Sequence, residues 1–270
     1  MISSIAQDSI ANKPRHLFGI YSGATDHFII DESTFPDVDF NGLLVPLYIN
    51  YRYLGVKTRQ TCSFYIDHLV LSSTNSNIAN DLNATNTNAI LEYSYNRQFL
   101  TIPKYRLQFF IGGKVESLLN FREYNNFVYD QSEVMIEQFN SLGINLIIEK
   151  RFSKNSDLLS FDLHSPFVTY SLVNNIYNQY VNNISQNIQI SNLTKVGFNQ
   201  LWEIIKNGEF VTYNKLIEIE SGISYTKMIR KHIGIEAYYR VHYYSFAQYQ
   251  RLLFATNFDT QLMFGLIIQK

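Results

Sequence analysis

The last 17 residues of the chain, 254–270, alternate in character at every second position. One face carries Phe254, Thr256, Phe258, Thr260, Leu262, Phe264, Leu266 and Ile268. The other carries Ala255, Asn257, Asp259, Gln261, Met263, Gly265, Ile267 and Gln269. Period-two alternation held for about eight repeats is roughly three times the usual strand length. Such a strand is about 50 Å long at about 3.3 Å per residue. A soluble sandwich has little use for that length, whereas a strand that crosses a bilayer at a tilt and projects beyond it requires it.

The same alternation, with β-branched and aromatic enrichment, predicts ten strands, at 16–30, 44–54, 58–71, 86–99, 105–122, 144–152, 158–172, 211–228, 233–246 and 254–268. The connections between them alternate in length. Short turns fall at 55–57, 100–104, 153–157 and 229–232. Long ones fall at 31–43, 72–85, 123–143 and 173–210, with 247–253 on the same side. Up-and-down membrane barrels have short turns at one rim and longer loops at the other. An even number of strands places both termini at the short-turn rim, expected to be periplasmic. Apolar residues at helical spacing predict a helix over 192–207 and a shorter one over 132–139, both in outer loops.

Composition agrees with a bilayer. There is no run of 18 apolar residues, which excludes a transmembrane helix but not strands that are polar at alternate positions. Twenty Tyr and twenty Phe recur toward strand ends, where aromatic girdles meet the two membrane–water interfaces. A net charge of −1 gives no reason to expect a nucleic-acid partner. A lone cysteine, Cys62, forms no disulfide framework. Residues 1–15 read as an N-terminal segment and 16–270 as one barrel domain. Ser4 and Ala6 have the small size that signal peptidase requires, so 1–6 read as the remnant of a signal peptide or as an ordinary tail.

One face of the expected strands collects Arg52, Glu92, Arg106, Lys114, Glu116, Glu149, Arg151, Asp162, Glu218, Glu220, Glu236, Arg240 and Asp259, together with His164 and His242. A cation facing lipid near the midplane costs about 2–4 kcal/mol. The charged face must therefore point inward and the apolar face outward, the reverse of a soluble sandwich.

Two dipeptides suggest chemistry, Asp26-His27 and Asp67-His68, both late in outward-running strands. In this they resemble the omptin proteases, ten-stranded barrels that use acidic residues and an Asp/His pair near the outer rim. Adjacent strand residues point to opposite faces, so partners for either histidine would have to come from neighbouring strands. Asp162-Leu163-His164 instead puts both polar side chains on the inner face, at mid-barrel. Gly112-Gly113 reads as a bend or bulge. There is no phosphate loop, no His-Glu-x-x-His and no metal-spaced Cys/His cluster, so no cofactor and no metal are expected.

The C-terminal strand is similar to the assembly signal of bacterial outer-membrane proteins at Gly265, Leu266 and Ile268. It departs from that signal at Met263 and Lys270. With Phe109, Ile111, Gly112, Gly113 and Lys114 and the Asn/Tyr-rich composition, the chain resembles the small porin-family barrels of the Bacteroidota. The resemblance implies an all-β, antiparallel transmembrane barrel of about ten strands in a bacterial outer membrane, surrounded by lipid and lipopolysaccharide and in contact with other outer-membrane proteins. Three functions are compatible with it. One is a non-enzymatic barrel with an occluded, charge-filled lumen serving a structural, adhesive or accessory role. The second is a narrow cation-preferring channel, and the third a rim-located protease or lipid A-modifying enzyme.

Overall fold

The computed structural model describes residues 14–31, 39–73, 82–126, 131–152, 157–175, 208–248 and 253–270. They form a closed antiparallel barrel of ten staves. Its strands are β1 (Arg15–Asp31), β2 (Asp39–Leu44), β3 (Leu47–Leu54), β4 (Thr58–Ser73), β5 (Leu82–Ile102), β6 (Leu107–Asn126), β7 (Gln131–Arg151), β8 (Leu158–Asn175), β9 (Glu209–Val211), β10 (Leu216–Arg230), β11 (Ile233–Gln248) and β12 (Leu253–Gln269). β2 and β3 are one stave interrupted at Pro46, which has no N–H to give the ladder; the Ser22 hydroxyl donates to its carbonyl at 2.9 Å. β9 and β10 are likewise one stave, interrupted by a tight turn in which Lys215 and Leu216 N–H both donate to Thr212 O at 3.0 Å. The barrel closes where β12 pairs with β1, from Leu17 opposite Gln269 to Asp31 opposite Ala255.

The stagger of the barrel follows from its register. Arg15 pairs with Leu54, Leu54 with Arg59, Arg59 with Asn96, Asn96 with Gly112 and Gly112 with Asn145. Asn145 pairs with His164, His164 with Glu220, Glu220 with His242, His242 with Asp259 and Asp259 with His27. One circuit thus leads from position 15 to position 27 of the same strand, a shear of 12. Ten staves about 4.8 Å apart with 12 residues of about 3.3 Å of stagger give a tilt of about 40° and a backbone radius of about 10 Å. Long side chains reaching inward from all staves fill most of that radius.

The alternation sorts lipid from lumen as the sequence implies. On β12, Leu262, Phe264, Leu266 and Ile268 are 47–61% exposed, while Met263 and Ile267 are fully buried. Charged groups on the outer face, among the described residues, lie toward its two rims, among them Asp26, His68 and Glu123 on the long-loop side and Arg97, Lys150 and Lys227 on the short-turn side. No described helix is long and apolar enough to cross a membrane.

Three local expectations are corrected. Residues 132–139 are not helical but belong to β7, which runs unbroken from Gln131. The apolar spacing there fits a helix, but β6 and β8 both offer ladder partners, as in Glu137 opposite Asn120 and Val173, and these outweigh local propensity. Most of the long loop expected at 123–143 is therefore strand, since β6 runs to Asn126 and β7 starts at Gln131. The described residues contain a single helical turn, Pro103–Tyr105 at the short-turn rim. Gly112-Gly113 is not a bulge, because its register is continuous on both sides; the shift lies on β5 between Gln98 and Leu100. Gly112 is instead a point of close approach, where a Cβ would lie against the carbonyl of Tyr95 and 2.7 Å from Asn96 Cα. The helix expected at 192–207 and the N-terminal segment 1–13 fall outside the described residues.

Candidate functional site: the barrel interior

Side chains at alternate positions of all ten staves converge on the lumen and arrange themselves in layers along it. At the short-turn rim Arg59 forms a bidentate pair with Glu149, Nε to Oε1 at 2.6 Å and Nη2 to Oε2 at 2.7 Å. Its Nη1 also donates to Gly55 O at 2.5 Å, and the guanidinium sits 4.1 Å over the Phe110 ring. One layer further in, Arg52 Nη2 donates to Glu236 Oε2 at 2.6 Å and Tyr21 OH to Glu236 Oε1 at 3.0 Å. Thr226 Oγ1 donates to the same carboxylate.

The middle layer spans the lumen. Lys114 Nζ, on β6, lies 3.0 Å from Glu92 Oε1, 2.9 Å from Glu116 Oε2 and 2.5 Å from Glu220 Oε2. Arg240 Nη2, on β11, reaches Glu92 Oε1 at 2.7 Å and Glu220 Oε2 at 2.9 Å. β5 and β6 face β10 and β11 across the ring, so these bonds bridge opposite walls. Between this layer and the short-turn rim lies a cavity of about 100 Å³ whose lining includes Arg59, Glu149, Arg52, Glu236, Asp162, Lys114 and Glu220.

Above the middle layer runs a chain of imidazoles and carboxylates. His242 Nε2 is 3.0 Å from Glu218 Oε1, and its Nδ1 is 3.8 Å from Asp259 Oδ2. Asp259 Oδ1 contacts His27 Nδ1, and His27 Nε2 is 3.1 Å from the Asn86 amide nitrogen. Beside it Tyr65 OH donates to Asp67 Oδ2 at 2.5 Å, and Asn88 N–H to Asp67 Oδ1 at 3.2 Å. Nearest the long loops, Glu137 Oε2 accepts from Asn120 at 2.8 Å, Tyr244 at 2.9 Å and Arg122 at 3.2 Å.

Of the residues singled out from sequence, Arg52, Glu92, Lys114, Glu116, Glu149, Asp162, His164, Glu218, Glu220, Glu236, Arg240, His242 and Asp259 point inward. Arg106 does not. It occupies a left-handed conformation, φ 56°, closing the turn after Tyr105, and is exposed. Arg151 is half-buried at the very end of β7, at the rim. The four residues proposed for rim chemistry separate by face. His27 and Asp67 are buried in the lumen, while Asp26 and His68 point outward, the latter with its Nδ1 2.8 Å from Thr87 Oγ1. Both histidines do take partners from neighbouring strands, His27 from Asp259 of β12, which also lies near His242 of β11, and His68 from Thr87 of β5. Sequence reasoning missed Arg59, Arg122 and Glu137. Arg59 was legible as the basic member of the alternating set Arg59, Thr61, Ser63, Tyr65, Asp67.

The fully buried ionisable side chains, among the described residues, are eight carboxylates (Asp67, Glu116, Glu137, Glu149, Glu218, Glu220, Glu236, Asp259), four cations (Arg59, Lys114, Arg122, Arg240) and three histidines. The interior is thus strongly acidic.

No protein-family model and no curated protein sequence matches the chain. Solved structures do match. The outer-membrane protease OmpT of Escherichia coli aligns with a TM-score of 0.52 at 9% identity, over 95% of this chain and 97% of its own. The Neisserial surface protein A aligns at 0.34 and 9% identity, over 93% and 96%. The translocator domain of the autotransporter NalP from Neisseria meningitidis aligns at 0.42 and 6%, over 95% and 88%. At 9% identity the likeness to OmpT is one of fold: this chain has the architecture of a bacterial outer-membrane β-barrel.

Proposed function

We propose that the protein is an outer-membrane barrel with an occluded lumen, serving as a structural, adhesive or accessory component rather than as a conduit or enzyme. One observation carries this reading. Lys114 and Arg240 hold Glu92, Glu116 and Glu220 in a single cluster that joins opposite walls of a barrel about 10 Å in backbone radius. An ion could pass only by breaking several buried pairs at once, each costly to separate. The outward apolar band takes lipid, with lipopolysaccharide at the long-loop rim, and both termini are periplasmic in this reading. The C-terminal strand's likeness to outer-membrane assembly signals and the chain's resemblance to Bacteroidota porin-family barrels support the location.

Planar-bilayer recording tests the reading. Wild-type protein should be silent at high salt, and stable single-channel conductance would overturn it. The acidic interior and the cavity on the short-turn side favour a narrow cation-preferring channel as the second reading, and the same recording decides between them. Rim catalysis keeps only His27 and Asp67 of its four expected residues on one face.

A further inference from the structure

The middle of the barrel contains a group of potential metal ligands that the ion pairs leave incomplete. His164, on β8, is fully buried, and neither of its ring nitrogens has a hydrogen-bond partner. Glu116, on β6, is 1% exposed; Lys114 is 2.9 Å from its Oε2, yet neither carboxylate oxygen has a well-directed hydrogen bond. One ligand atom each from Glu116, His164 and Glu220 lies within 4.8 Å of the others. A buried imidazole without partners is costly, and here it stands beside two carboxylates in an interior with twice as many buried carboxylates as buried cations.

Room for the imidazole is built in. On the adjacent stave the ring lies over Gly143, diagonal to it, where a Cβ would come within 2.5 Å of His164 Nε2 and of Ser165 O. Glu218 and His242 flank Glu116 on its other side, with Glu116, Glu218 and His242 also within 4.8 Å of one another. Glu220 and Lys114 also line the cavity between this layer and the short-turn rim.

We infer that Glu116, His164 and Glu220 form a binding site for a divalent transition-metal ion of the zinc class, in competition with the Lys114 ammonium. One imidazole and two carboxylates suit zinc, which takes nitrogen and oxygen ligands readily and leaves a fourth position for water. A hard cation such as Mg²⁺ or Ca²⁺ prefers all-oxygen sites and gains nothing from His164. The ion would neutralise part of the acidic excess of the lumen and would give His164 its partner. Lys114 Nζ is 2.5 Å from Glu220 and 2.9 Å from Glu116, so it occupies the same oxygens with a single charge. Metal and ammonium therefore oppose each other.

That opposition gives a distinctive test. Tag-free full-length protein in mild detergent is stripped with chelator and titrated with Zn²⁺, with metal content read by mass spectrometry and affinity by calorimetry. The site predicts one Zn²⁺ per barrel, no comparable uptake of Mg²⁺, and an X-ray absorption spectrum with nitrogen and oxygen but no sulfur ligands. H164Q and E116Q should each weaken binding about tenfold or more, and K114M should strengthen it by a similar factor. Heat-modifiable gel mobility establishes that each variant is folded; E116Q preserves shape and H164Q approximates it, so one of the pair suffices if the other does not assemble. No uptake at about 50 µM Zn²⁺, far above the affinity of ordinary zinc sites, would overturn the inference. So would unchanged affinity in both H164Q and E116Q, or weaker binding in K114M.

Discussion

Replacing Lys114 with methionine should cost about 3–5 kcal/mol of stability, the penalty for leaving a buried charge without its partner. Its ammonium sits between three carboxylates at 2.5–3.0 Å, and at an effective dielectric of about 20 each such pair contributes about 5 kcal/mol before desolvation. Desolvating the ammonium offsets most of that sum, which is why the net loss is a fraction of it. Methionine preserves the length and apolar stem, so the change isolates the charge. What remains in the layer is Arg240 against Glu92, Glu116 and Glu220, with two more negative than positive groups. K114M/E116Q brings that difference back to one, as in the wild type, and should recover at least half of the loss. Urea unfolding in detergent with chelator present, followed by gel mobility and far-ultraviolet circular dichroism, measures both variants. If K114M is within about 1 kcal/mol of wild type, or if adding E116Q recovers nothing, the middle layer is not held by these charges and the reasoning fails.

The same approach applies at the short-turn rim, where R59M and E149Q should each destabilise by about 3–5 kcal/mol and the double variant by much less than their sum; additive losses would show that the bidentate pair is not coupled. On the lipid face, L262R should cost about 2–4 kcal/mol, while I268R near the short-turn rim should cost about 0–1. Equal losses, read from folding in vesicles, would mean that the apolar band is misplaced. G112A should slow barrel assembly or destabilise it by about 1–3 kcal/mol, because its Cβ meets the β5 backbone rather than a movable side chain. G113A, whose Cβ finds its nearest neighbour at 3.8 Å, should be silent.

Much of the barrel is legible in the sequence where one face is mostly apolar and the other polar. On β12 and β10 the alternation assigns both faces without ambiguity, and Asp259, Glu218 and Glu220 are found inside. It fades where both faces are polar or both apolar. On β4 the outward positions include Gln60 and Cys62, so the two faces differ little in polarity and the inward set from Arg59 to Asp67 is marked only by its parity. On β7 the consecutive apolar residues Val134, Met135 and Ile136 suit a helix as well as a strand, and the two flanking staves decide. The site's partnerships are less legible still. Asp26 and His27 are neighbours in sequence but face opposite sides, whereas His27 meets Asp259, at the other end of the chain, through closure of β1 on β12. Glu116, His164 and Glu220 come from three staves, so no ligand spacing exists along the chain for a motif to record.

Closure also explains why the interior behaves as one unit. With a shear of 12, residues opposite one another in the ladders climb the barrel as they go round, and each layer draws on several such rows. Glu218 and Glu220 are two apart on the same face of β10 but satisfy different layers, one through His242 and the other through Lys114 and Arg240. Arg240 in turn bridges to Glu92 on the opposite wall. A slip of one residue at the β1–β12 seam would put Asp259 and His27 on opposite faces, turning one of them outward and bringing Phe258 or Phe28 into the lumen. It would separate His27 from Asp259 and, if β12 is the strand that turns, leave His242 with Glu218 alone. The charged pairs across the lumen and at the seam therefore help to specify which closure of the barrel is the native one.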